Sequence, residues 1–172
     1  MLIKNGKSFD TSMGMTPLEG LIMGTRTGDL DPAIPFFMAD HVKLSYKEID
    51  TLLNKQSGLK GISALNDMRD ILAKKEEGDK NAKLAIEMYV KRIRKYIGAY
   101  LVGLDGNLDA IIFTAGIGEN ASEIRKLCME NLSSLGIELD ENKNSASSKQ
   151  VREINNEKSN CYIFTFFNYN NN

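Results

Sequence analysis

The chain has 172 residues, 42% hydrophobic and 26% charged, with a formal net charge of −1. That is enough chain for a real core in a globular domain, and the charge excludes a global field drawing nucleic acid or an anionic membrane. No apolar run approaches the roughly 20 residues that span a bilayer. The N-terminus, MLIKNGKSFD, has no secretory apolar core. Two cysteines, Cys128 and Cys161, and one histidine, His41, make neither a disulfide framework nor a metal cluster, so a reduced, cytoplasmic setting is expected.

Leu2-Ile3-Lys4 and Lys7-Ser8-Phe9 flank Asn5-Gly6, which tolerates positive φ and so predicts a hairpin. A strand with no lead-in points to a missing upstream segment. Thr16, Pro17 and Glu19 predict a capped helix start. Asp31-Pro32 predicts another, short or bent at Pro35. Ser45 and Glu48 form a capping box before a helix that stops at Ser57-Gly58, and Asp67 caps a short helix to Lys75. From Asp79 to about Leu104, apolar residues fall three or four apart in one stripe. Residues 110–114 read as a buried strand at the centre of a sheet, ending in a glycine turn at its C-terminal edge. A helix over 121–134, a strand at 137–139, a polar loop over 140–160 and a strand at 162–167 before an asparagine-rich end complete the chain. The class is α/β, with more helix than strand.

Three segments are candidates to carry chemistry. In FTAGIGEN, glycine allows close backbone approach, and a following helix directs amides at an anionic or polar ligand; an ordinary strand-to-helix turn explains the same residues. Arg26, between Gly24 and Gly28, suits a phosphoryl or carboxylate group, or an ion pair with Asp29 or Asp31. Asp67 and Arg69 offer a further polar pair, or simply a cap and a surface arginine. His41 reads as a surface residue near a helix end, Cys128 as core beside Ile124 and Leu127, and residues 74–83 as a solvated face.

Taken together, DTSMGMTPLEGLIMGTRTGDLDP followed by FTAGIGEN resembles the acetate kinase family. The likeness runs from Leu2 to about Leu139, through LLNKQSGLKGIS, RIRKYIGAY and LDAIIFTAGIGEN. It implies the actin, sugar-kinase and Hsp70-like fold, with this chain a helix-rich partial lobe carrying a short mixed sheet. Residues 1–160 would be a partial C-terminal, nucleotide-binding lobe and 161–172 a divergent tail. The implied reaction converts ATP and acetate to ADP and acetyl phosphate with Mg2+. By the resemblance Arg26 stabilises the transferring phosphoryl group, Asp67, Met68 and Arg69 contact nucleotide, and Gly116, Ile117, Gly118, Glu119 and Asn120 receive adenosine. ATP or ADP and a short carboxylate are the implied partners, with a homodimer through C-terminal lobes and no nucleic acid or membrane.

Departures from the family qualify this. Its N-terminal lobe is absent, with a metal-binding asparagine, a substrate-binding arginine and a catalytic aspartate. So are the catalytic histidine and the glycine-rich phosphate loop of the second lobe. FTFFNYNNN stands where the family carries an acidic metal ligand, and Ala115 where it usually has glycine. The expectation is a C-terminal piece of an acetate kinase, inactive alone. The rival is a non-catalytic nucleotide-binding or dimerising module, or a degraded gene product, from the same fold.

Overall fold

The computed structural model describes residues 1–148 and 150–166. It divides into two compact units, Met1–Tyr100 and Leu101–Asn172. The division falls inside a continuous helix, which is why no composition shift marks it.

The first unit opens with the predicted hairpin, β1 (Leu2–Lys4) and β2 (Lys7–Asp10), antiparallel across Asn5 and Gly6 at φ 54° and 70°. The helix expected at Thr16-Pro17 does not form. Glu19 lies against Gly14 instead of closing a capping box, and Gly20, at φ 100°, is pressed onto the Ser12 carbonyl. Tertiary packing overrides the local signal. Pro35 does keep α1 (Ala33–Phe37) short; a π-helical turn, Met38–Val42, follows it and ends at Lys43 in the left-handed region. His41 is exposed, as expected, and stacks on Phe37. The Ser45–Glu48 capping box starts α2 (Tyr46–Lys55), and Asp67 caps α4 (Met68–Glu76) after α3 (Gly58–Ser63). The long helix α5 (Lys80–Gly103) buries Ala82, Ala85, Ile86, Tyr89 and Val90, so only the first half of its stripe is core. Ile22, Ile49, Leu59, Met68 and Ile71 complete this core.

The second unit is built on β3 (Ala110–Phe113), β4 (Arg152–Glu153) and β5 (Tyr162–Thr165), in the order β3-β5-β4. β5 runs parallel to β3 and antiparallel to β4, a short mixed sheet. Four expectations are corrected. β3 is an edge strand of this sheet with Ile112 exposed, and the central strand is β5. The helix over 121–134 is shorter: α7 (Ser122–Met129), then a 3-10 turn at Ser133–Leu135. Leu139 forms only an isolated bridge to Asn155. The stretch read as loop contains α8 (Glu141–Ser145) and β4. Cys128 is buried, with Ile124, Ile137, Ile154 and Ile163. Phe167 and the asparagine-rich end lie outside the described residues.

Candidate functional site

Arg26 sits on a loop closed at its base. The Asp29 amide donates to the Gly20 carbonyl at 2.9 Å, and the Gly20 amide donates to Asp29 Oδ1 at 3.0 Å. Gly28, at φ 73°, packs so tightly that a Cβ there would stand 2.7 Å from the Gly20 oxygen. Three α5 side chains hold the Asp29 carboxylate: Tyr96 donates at 2.7 Å, Lys95 at 3.1 Å, and Arg92 lies 3.4 Å away. Burial alone would raise the Asp29 pKa. The bonds from Tyr96 and Lys95, with the charges of Arg92 and Lys95, outweigh it and hold the carboxyl below its ordinary value. Burial, then Asp29, pushes the Tyr96 hydroxyl up to about 12.

The ion pair that sequence offered Arg26 is therefore made by α5 instead. Arg26 is half-buried; Nη1 touches the Met23 sulfur at 3.9 Å, and no carboxylate among the described residues lies within ion-pair reach. Its backbone is fixed. The Leu59, Lys60 and Ser57 amides donate to the carbonyls of Met23, Gly24 and Thr25 at 2.9, 2.9 and 3.0 Å. Gly58, at φ 62°, makes this possible, since a Cβ would stand 2.6 Å from the Arg26 oxygen. Sequence reading took Gly58 only as a helix stop.

This turn meets the Asp67 segment: a Cβ on Gly24 would lie 3.1 Å from the Asn66 carbonyl. Asp67 Oδ1 accepts from the Arg69 amide at 2.9 Å as the helix cap and from Arg69 Nε at 3.0 Å. Those bonds from Arg69 bring the Asp67 carboxyl down to about 2. Met68 is buried, so its side chain belongs to the core. The structure thus brings Arg26 and the Asp67–Arg69 pair into one neighbourhood of the first unit.

Residues 116–120 belong to the second unit. They form not an open glycine turn but a short helix, α6 (Ala115–Asn120), entered from Thr114. Gly118 packs against the Phe113 backbone, whereas a Cβ on Gly116 would meet nothing within 4 Å. One glycine serves packing and the other leaves an open approach. The Ala115 amide donates to Glu119 Oε1 at 2.9 Å, and Asn120 Nδ2 donates to the Gly116 carbonyl at 2.9 Å. A carboxylate already occupies the start of this helix, so a phosphate there would meet like charge.

Two residues under α6 escaped the sequence reading, Arg125 and Asn144. Both are buried. Arg125 donates to the carbonyls of Gly118 and Glu119 at 2.9 and 2.8 Å, and to Oδ1 and the carbonyl of Asn144 at 2.7 Å each. Asn144 Nδ2 donates to the Ser122 carbonyl at 2.9 Å. Burial first, then the charge of Arg152, lowers the guanidinium pKa to about 10, which leaves it protonated at neutral pH. A signal was there: Arg125 sits next to Ile124 and three residues before Cys128, on the apolar side of its helix.

No three His, Cys, Asp or Glu side chains among the described residues converge as metal ligands. The described residues therefore make no magnesium site of their own.

The class is thus a helix-rich α/β protein with a short mixed sheet, an available arginine and a glycine-containing strand-to-helix junction. The acetokinase family model matches residues 1–170, and the chain belongs to that family. An acetate kinase from Oleidesulfovibrio alaskensis is 55% identical over 157 residues, 91% of this chain and 39% of that protein. The solved propionate kinase from Francisella tularensis superposes with TM-score 0.88 at 45% identity, over 96% of this chain and 42% of its own. For the acetate kinase from Entamoeba histolytica the figures are 0.91, 39%, 98% and 44%. The chain spans about two fifths of the length of the curated relatives it matches.

Proposed function

We propose that this chain supplies the phosphoryl-stabilising arginine and the adenosine-binding segment of an ATP-dependent carboxylate kinase, acting on acetate or a close homologue in the cytoplasm. In that reaction a carboxylate oxygen forms a bond to the γ-phosphorus as the bond to the ADP oxygen breaks. The protein's work is alignment and charge compensation. The observation that carries the reading is Arg26: a guanidinium on a turn pinned by backbone bonds, with no carboxylate partner among the described residues. A side chain kept for solubility has no need of such a mount. Asp67 and Arg69 lie beside it as nucleotide contacts, and residues 116–120 take the adenosine end. Glu119 at the first amide of α6 favours a neutral nucleoside over a phosphate there.

The chain alone is expected to make no acetyl phosphate, because a single arginine in open solvent has little of the electrostatic effect it has in a closed cleft. The test supplies the missing part in trans, as the N-terminal portion of an acetate kinase relative, with ATP, magnesium and acetate, trapping product with hydroxylamine. Activity should appear only in the mixture and fall by about a thousandfold or more in Arg26→Ala. A mixture whose rate is unmoved by Arg26→Ala sinks the assignment, and a chain active alone sinks the claim of dependence. Self-association as a homodimer is also proposed, on the exposed Phe36 and Phe37 of the first unit. Sedimentation showing only monomer at tens of micromolar would count against it.

A further inference from the structure

We infer that Arg125 is the positioning residue of α6, setting the backbone of residues 116–120 from inside the second unit without touching a ligand. What α6 binds rests on the adenosine reading; how α6 is held does not. Arg125 heads the fully buried large side chains among the described residues. A guanidinium is tolerated in a core only when its five N–H groups are nearly all met. Here four bonds are made, all to neutral oxygens and two of them to the last turn of α6. Those are carbonyls that a helix end leaves without intrahelical partners.

An apolar side chain could fill this space, but it could not aim carbonyls. A peptide unit is planar, with its C=O and N–H opposed. Fixing the Gly118 and Glu119 carbonyls therefore fixes the Glu119 and Asn120 amides as well. The Glu119 carboxylate that meets the Ala115 amide, and the Asn120 side-chain Nδ2 that meets the Gly116 carbonyl, both project from backbone set by that placement. Asn144 completes the clamp: it accepts two bonds from Arg125 and donates to Ser122 at the start of α7, so α6, α7 and α8 are held at one point. Lysine cannot substitute, because its three donors lack the planar fork that reaches all four oxygens.

The experiment titrates the full chain with adenosine and with ADP by calorimetry, and follows amide hydrogen exchange over residues 115–120. Wild type is compared with Arg125→Lys, with Asn144→Ala, and with Ile137→Val as a core control elsewhere in the same unit. Wild type should bind adenosine and ADP with similar affinity. Arg125→Lys should weaken adenosine by about tenfold or more, Asn144→Ala by less, and Ile137→Val by under about twofold. Exchange over 115–120 should rise in the first two variants and stay put in the control. Arg125→Lys binding like wild type overturns the inference, as does a control losing as much affinity at equal fraction folded. If Arg125→Lys does not fold, Asn144→Ala decides by the same outcomes. If wild type binds no adenosine, the adenosine reading fails, and unchanged exchange over 115–120 in Arg125→Lys overturns the positioning role independently.

Discussion

Ala115 stands in the left-handed region at φ 62°, at the entry to α6 where relatives are expected to carry glycine. A Cβ in that region costs about 1–2 kcal/mol, part of which is regained because alanine is less free than glycine in the unfolded chain. Ala115→Gly should therefore stabilise the second unit by about 0.5–1 kcal/mol, read as a higher urea midpoint with an unchanged slope; a lower midpoint would show that the backbone is unstrained. A second residue-scale prediction concerns pH. Asp29 is held below its ordinary value of 3.8, so its contribution is complete above that value and is lost as pH falls through its folded pKa. Tyr96 is raised from 10.0 to about 12, so its contribution is complete below 10.0 and is lost as pH rises through about 12. The joint contribution of this pair should be flat between these limits and fall on both sides. Asp29→Asn should flatten the acid limb and Tyr96→Phe the alkaline limb; limbs unchanged in both variants would place the titrating groups elsewhere.

At the scale of elements, what was legible in the sequence is what neighbours in the chain decide. Asn5-Gly6, the Ser45–Glu48 box and the Asp67 cap act within four residues, and each formed as read. Thr16, Pro17 and Glu19 carry an equally good local signal, yet Gly20 packs on Ser12 and Gly24 on Asn66, contacts that a four-residue capping window does not contain. The apolar run at 110–113 announced a strand but not its place in the sheet, because order depends on β5, far along the chain. The site divides the same way. Arg26 and the two glycines of α6 are visible as motifs. The parts that hold them, Gly58, Asp29 with Arg92, and Arg125 with Asn144, join residues remote in sequence and look like ordinary polar or helix-ending positions.

For the whole molecule, the two units have separate buried centres, Leu59 and Ile71 in one, Ile154 and Ile163 in the other. Ile163→Ala removes a fully buried side chain from the central strand and should cost about 2–5 kcal/mol. Native-state hydrogen exchange should register that loss in β3, β5 and α7 and leave the amides of α2 and α4 protected as before; an equal rise in all of them would mean that the units open as one block. The parallel pairing of β3 with β5 has a kinetic consequence too. Antiparallel partners can meet across a two-residue turn, but β3 must wait for a strand about fifty residues further on, closing a long loop before any ladder bond repays that entropy. Helix bonds of the first unit, by contrast, close between residues four apart. Its helices can form in the microsecond range, while the second unit's sheet should appear late, with the edge of β3 and the exposed Ile112 open to wrong partners in the interval.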